Sequence, residues 1–333
     1  MKNNVILFCF GTRPEWLKIK PLIKIINKNE YKLLFTGQHT DLLKDVKVDY
    51  QININKSNNR LDSIISDCIL QFPNENFKGV LVQGDTASAF ACALAAFHRG
   101  IKVYYLESGL RSYDLENPYP EEGYRQMISR LADINFAPTQ LSADNLIAER
   151  VKGIVHIVGN TVLDNLTKYD RGSYGDTILV TMHRRENHHW MDEWFNVINQ
   201  LAIDYPQYKF VLPIHPNPNV QKHRSLLTNV NVIDPMIHDE TINVLKDCKL
   251  VITDSGGLQE EGSFFNKKVI VCRKTTERPE GIKTGHLYIC EEPQKLTKLF
   301  GYLENNSYIC KPCPYGDGRA AEKIKKILDA ETL

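Results

Sequence analysis

Short apolar runs rich in β-branched residues alternate with amphipathic stretches along the chain, and this alternation limits the fold more than any other feature. Runs of four to six such residues suit buried strands. Strands separated by helical stretches pair in parallel by crossing over, which predicts βαβ units. In the first half the expected strands are residues 5–10, 32–35, 79–82, 102–106, 134–137 and 155–158. In the second they are 177–181, 209–213, 230–233, 250–253 and 268–272. Between the sets lies 167–176, a polar, glycine-bearing stretch that reads as a linker. The pattern predicts an α/β protein with two Rossmann-like domains, parallel sheets facing an interdomain cleft, and a final helix over 319–328. In such sheets ligands bind beyond the carboxyl ends of the strands.

The length of 333 residues agrees with two domains. Forty-one Lys and Arg stand against 40 Asp and Glu, a net charge of +1, so the basic excess of a nucleic-acid binder is absent. No apolar run approaches the ~20 residues of a membrane helix. The opening has one Lys, a short apolar run and no small-residue cleavage site, which reads as a first strand. Of eight cysteines, Cys9, Cys272 and Cys290 sit in strand-like runs and read as reduced core residues, so a cytoplasmic setting is expected. Cys310 and Cys313 form a lone CxxC without a second pair. His188-His189 has no third ligand at metal spacing, so no metal is expected. Gly316–Ala321 matches GxGxxA, but no strand precedes it. Neither a P-loop nor a GxSxG elbow occurs.

The polar clusters fall after the expected strands. The first is Gly11-Thr12-Arg13-Pro14-Glu15, where Pro14 suits the first turn of a helix and Arg13 would stand at an anion-favouring helix start. Gln83-Gly84-Asp85-Thr86, Glu107-Ser108-Gly109-Leu110-Arg111 and Pro118-Tyr119-Pro120-Glu121-Glu122 follow. Carboxylates gathered on one sheet rim suit acid/base chemistry, although each singly also reads as a helix cap, Asp85 above all, or as a partner of Arg111 or Arg125. In the second half His183-Arg184-Arg185-Glu186-Asn187, His215-Pro216-Asn217 and Asp254-Ser255-Gly256-Gly257 occupy the same places. The Ser-Gly-Gly turn into a helix resembles a phosphate cradle, Glu261 could reach a ribose hydroxyl, and Arg278 adds an anion clamp.

Taken in order, GTRPE (11–15), TGQH (36–39), QGDT (83–86), ESGLRS (107–112), PYPEE (118–122), VGNTVLD (158–164), HRREN (183–187), HPNPNV (215–220), TDSGGLQEE (253–261), TTERPE (275–280) and PYGDG (314–318) cover nearly the whole chain. In this the sequence resembles the non-hydrolysing UDP-N-acetylglucosamine 2-epimerases. The resemblance implies a GT-B-like fold: an N-terminal domain over 1–166, a nucleotide-binding domain over 167–317, and a last helix, 318–333, packed back on the first. It implies interconversion of UDP-N-acetylglucosamine and UDP-N-acetylmannosamine by elimination of UDP to 2-acetamidoglucal and re-addition, without cofactor or metal. It places acid/base carboxylates at Asp85, Glu107 and Glu121, a phosphate-side histidine at His183, and N-domain basic groups at Arg13 and Lys18. It places the pyrophosphate turn at Ser255, Gly256 and Gly257, the ribose ligand at Glu261 and a second-domain arginine at Arg278. Bacterial members of the family often bind a second UDP-N-acetylglucosamine as an activator. Gln38, Arg184 and His215 match that site, while the stretch after TGQH reads Thr40-Asp41-Leu42. The resemblance further implies a homodimer acting on a UDP-sugar, with neither nucleic acid nor membrane as partner. A 2-epimerase of another UDP-2-acetamido sugar, a GT-B glycosyltransferase and a sugar-nucleotide sensor are the alternatives the motifs leave open.

Overall fold

The computed structural model describes residues 4–38, 46–55, 57–170, 172–306, 308–309 and 311–331. They divide into two compact units, 1–165 with 316–333, and 166–315.

In the first unit the strands are β1 (Ile6–Phe10), β2 (Tyr31–Phe35), β3 (Tyr50–Gln51), β4 (Gly79–Gln83), β5 (Val103–Leu106), β6 (Ile134–Ala137) and β7 (Ile154–Ile157). Between them run α1 (Arg13–Ile25), α2 (Arg60–Leu70), α3 (Ala87–His98), α4 (Glu121–Leu131) and α5 (Gln140–Ala148). The sheet order is β3-β2-β1-β4-β5-β6-β7, every pairing parallel. Its central strands are buried throughout because both faces are covered. α3 is rich in alanine, and these small side chains let it lie close against both the sheet and α2.

The second unit repeats the plan. Its strands are β8 (Thr177–Thr181), β9 (Lys209–Pro213), β10 (Asn231–Ile233), β11 (Leu250–Thr253), β12 (Val269–Val271) and β13 (Leu287–Ile289). Its helices are α6 (Met191–Asp204), α7 (Pro218–Gln221), α8 (His238–Asp247), α9 (Gly256–Phe264), α10 (Glu280–Thr284) and α11 (Pro293–Glu304). The order is β10-β9-β8-β11-β12-β13, again parallel. Numbered within each unit, the second sheet reads 3-2-1-4-5-6 and the first reads the same with a seventh strand added at its far edge. Winding therefore reverses between β1 and β4 and between β8 and β11, the positions where doubly wound sheets open a crevice.

The last helix, α12 (Ala320–Ala330), belongs to the first unit. Ala321, Ile324 and Leu328 pack with Ile6, Phe8 and Phe10. The Asp164 carboxylate accepts from the backbone N–H of Ala320 (3.2 Å) and Ala321 (2.8 Å), and Lys78 Nζ donates to the Leu328 carbonyl at 2.6 Å.

Two edge strands, β3 and β13, go beyond the sequence expectation. They have two and three residues, too few to show a period. Cys9, Cys68, Cys92, Cys248, Cys272 and Cys290 are buried. Cys310, half of the CxxC, lies outside the described residues, as do His39, Thr40, Asp41 and Leu42. Among the described residues no helix is long and apolar enough to cross a membrane.

Candidate active site

At the first reversal, β1 runs into Gly11 and then Thr12, the N-cap of α1. A Cβ at position 11 would stand 2.1 Å from Thr36 Oγ1 and 2.4 Å from Ser88 Oγ, so only glycine lets β1 leave the sheet here. Thr12 and Glu15 form a capping box. Glu15 Oε2 accepts from the N–H groups of Gly11 (2.8 Å) and Thr12 (2.7 Å), and its other oxygen accepts from the Thr86 hydroxyl (2.5 Å). Glu15 is buried, and burial pushes its carboxyl above the usual range against the pull of these bonds. The donors that the sequence offered to an anion beside Arg13 are thus taken by Glu15, while Arg13 itself is exposed. Gln38, beyond β2, accepts from Ser88 Oγ at 2.7 Å, and its carbonyl accepts from Arg60 at 2.6 Å.

The carboxylates arise beyond β4 and β5, adjacent strands whose ends pair Gln83 with Leu106. Gly84 takes φ +75°, and Thr86, not Asp85, caps α3 by accepting from the Ala89 N–H at 3.0 Å. Asp85 is left to meet Arg125, whose guanidinium donates to Oδ2 at 2.5 Å. Glu107 follows β5 with φ +64°, a left-handed conformation uncommon for a non-glycine residue. Both its oxygens accept from Lys18 Nζ at 2.5 Å, Oε1 accepts from Asn160 Nδ2 at 3.0 Å, and Oε2 from Gln83 Nε2. Lys18 and Glu107 are mostly buried, and an ion pair at this depth holds only because amide donors complete the shell.

The neighbours Glu121 and Glu122 part company at the start of α4. Glu121 is half-buried, in a first turn where the helix dipole favours a carboxylate. Glu122 is fully buried and accepts from the N–H groups of Ser112 (3.0 Å) and Tyr113 (3.2 Å), from Gln126 Nε2 (2.9 Å) and from Arg125 (3.4 Å). Arg111 is occupied structurally, forked onto Glu149 at 2.7 and 2.9 Å.

At the second reversal the organising group is Asp254, with no exposed surface. Its carboxylate accepts from the backbone N–H of His183 (2.9 Å) and Arg184 (2.9 Å) and from Asn187 Nδ2 (3.0 Å). It therefore folds the loop after β8 against the loop after β11. The His183 ring stacks on His215, centroids 5.2 Å apart, with Nδ1 3.3 Å from Asp254. Burial lowers the pKa of His183, with Asp254 pulling the other way, and burial likewise lowers His215.

α9 starts at Gly256, and its N-cap Ser255 makes no side-chain hydrogen bond to the helix. A Cβ on Gly256 would lie 3.0 Å from an Arg278 guanidinium nitrogen, whereas one on Gly257 would meet nothing within 4 Å. Arg278 is buried; Nε donates to Glu260 and a terminal nitrogen to Glu277, both at 2.6 Å. Glu277 also accepts from Arg273 (3.1 Å), which donates to Glu186 (2.6 Å). Tyr315 of PYGDG fixes the turn, donating to the Arg278 carbonyl (2.8 Å) and accepting from the Gly281 N–H (3.0 Å). Glu261 lies 2.8 Å from His238 Nε2.

Within the first unit the structure brings Lys18 and Glu107 into contact, with Asp85 beyond the neighbouring strand; within the second it joins His183 to His215 and Arg278 to Gly256. Sequence reasoning offered Arg125 as a carboxylate partner, and Asp85 takes it; it missed the roles of Asn160, Gln83, Asp254, Glu260 and Glu277, the other groups that hold the candidate residues. Gln83, Asn160, Asp254, Glu260 and Glu277 lie inside the quoted motifs, which was the available signal.

A sequence model described as UDP-N-acetylglucosamine 2-epimerase matches residues 24–329. The chain is 40% identical to the UDP-N-acetylglucosamine 2-epimerase of Campylobacter jejuni, with 97% of each chain covered. The solved UDP-GlcNAc 2-epimerase of Neisseria meningitidis bound to UDP-GlcNAc superposes with a TM-score of 0.86 at 34% identity, over 98% of this chain and 100% of that one. The S. aureus MnaA structure with UDP gives a TM-score of 0.87 at 33% identity, over 99% and 97%.

Proposed function

The chain belongs to the UDP-N-acetylglucosamine 2-epimerase family of isomerases, with its GT-B-like pair of Rossmann-like domains, and from that membership we propose that it interconverts UDP-N-acetylglucosamine and UDP-N-acetylmannosamine. The C2–H bond breaks as the C1–oxygen bond to UDP breaks, giving 2-acetamidoglucal. UDP then returns to C1 as C2 takes a proton on its other face. Atoms and electrons balance without an external oxidant.

Asp85, Glu107 and Glu121 are assigned to the proton transfers. The C2 proton is weakly acidic, so elimination needs the departing diphosphate stabilised, and preorganised charge is usually the largest such effect. That task is assigned to His183, Arg278 and the start of α9 at Ser255, Gly256 and Gly257, with Glu261 at the ribose and Arg13 and Lys18 as further basic groups. Gln38, Arg184 and His215 are assigned to binding a second, activating nucleotide sugar. The 1–166 and 167–317 division, with 318–333 returning to the first domain and the nucleotide held by the second, belongs to the same reading. So do a cytoplasmic homodimer and a product used in polysaccharide biosynthesis.

The observation that carries this reading is Glu107: a carboxylate on a left-handed backbone at a strand end, enclosed by Lys18, Gln83 and Asn160. Incubation with UDP-N-acetylglucosamine alone in D₂O, followed by proton NMR, tests it. The expected result is the manno isomer with deuterium at C2. An unchanged sugar, as a glycosyltransferase would leave without acceptor, overturns it. Parallel samples with other UDP-2-acetamido sugars fix the substrate.

A further inference from the structure

The Asp85 carboxylate has a partner from another element of the fold. It meets Arg125 of α4 at 2.5 Å, and Arg125 is 4% exposed. Arg125 also reaches Glu122, three residues back on the same helix, at 3.4 Å. Glu122 is in turn fixed by the backbone N–H groups of Ser112 and Tyr113 and by Gln126. A continuous set of contacts therefore runs from the loop beyond β5, through Glu122 and Arg125, to the carboxylate beyond β4. A buried guanidinium keeps its charge, and its planar fork can hold two carboxylates in fixed directions.

We propose that Arg125 is a positioning residue: clamped by Glu122, it holds Asp85 ionised and oriented, so that Asp85 meets substrate as the base. This rests on the assignment of Asp85 to proton transfer. The charged groups packed near it include Arg125 and Glu122 on α4, Glu107 beyond β5 with its partner Lys18 from α1, and Glu15 of α1 behind Thr86. Of these, Arg125 pairs with Asp85 directly. An opposite charge at this range typically lowers a carboxyl pKa by ~1–3 units. Its removal therefore moves the acidic limb of kcat to higher pH.

The experiment compares the full chain with R125Q, R125K, D85N and the double variant D85N/R125Q, following conversion of UDP-N-acetylglucosamine and C2 deuteration from pH 5 to 9. R125Q is expected to lower kcat by about 10²-fold, within the span of lost acid/base catalysis, with KM changed less than about threefold. Its acidic limb should rise by about one pH unit. R125K, with charge but no fork, should recover part of both. In the D85N background R125Q should cost nothing further, as expected when one group acts through the other. If R125Q does not fold by circular dichroism, R125K carries the test: an acidic limb at the wild-type position then overturns the proposal. Equal losses from R125Q with and without Asp85, or an unmoved limb, also overturn it. Failure of the wild-type chain to convert the sugar would instead overturn the functional reading, so the two failures are distinguishable.

Discussion

At the reversal of the first sheet the start of α1 is closed by its own Glu15. At that of the second, the start of α9 receives no side-chain cap. The strand order is the same over the six strands the units share, and in both a buried carboxylate gathers backbone N–H groups beside the reversal. The difference is whose N–H groups are taken. Glu15 takes the two at the entry to its own helix; Asp254 takes those of the neighbouring loop, at His183 and Arg184. The first unit then presents carboxylates with their cationic partners, and the second presents histidines, Arg278 and an uncapped, glycine-bearing helix start. Equal topology hosts opposite chemistry because the loops, not the strands, carry the site.

The sharpest test of this contrast is catalytic. D85N, E107Q and E121Q should each lower turnover by ~10²–10⁴-fold while UDP affinity, by calorimetry, stays near wild type. Amide variants that lose UDP binding instead would erase the division of labour between the units. Next in size is acid sensitivity. Burial lowers His286 of the second unit to about 4, against 6.5 for an ordinary histidine. The unfolded chain therefore protonates first on acidification. Stability from this group is complete above about 6.5 and is lost toward 4, by up to about 1.4 kcal/mol per pH unit. Hydrogen exchange at pH 5 should show the second unit opening before the first, with H286Q flattening the dependence; earlier opening of the first unit would contradict this.

A smaller effect probes the helix start itself. Gly257→Ala meets no atom within 4 Å and should leave Tm unchanged or slightly raised, yet weaken UDP about tenfold, the worth of one or two hydrogen bonds. Unaltered UDP affinity would remove this turn from the diphosphate site. Smallest is Thr12→Ala, expected to cost ~0.5–1 kcal/mol in urea unfolding through the lost cap, with UDP affinity untouched.

The sequence disclosed the fold well because burial on both faces writes parallel strands as apolar runs: residues 134–137, 177–181, 209–213 and 250–253 are strands to the residue. β3 and β13 escaped because each pairs with one neighbour over two or three residues. Site positions were visible as polar residues after strands. Most of their partners were not, because they come from afar: Glu107 finds Asn160 53 residues on and Gln83 24 residues back, whereas Arg125 was legible only as one of two arginines that a carboxylate there could meet. Local reasoning also could not separate Glu121 from Glu122, or Thr86 from Asp85 as the cap. Adjacent residues of similar type differ there only in which way the finished backbone turns them.

The return of α12 to the first unit has a consequence for the growing polypeptide. Ile324 and Leu328 complete an apolar layer begun by Ile6 and Phe8. A ribosome exposes that opening strand early and its covering helix only after all of the intervening unit. The earlier-made lobe therefore waits with a bare flank until the later-made one has left the ribosome.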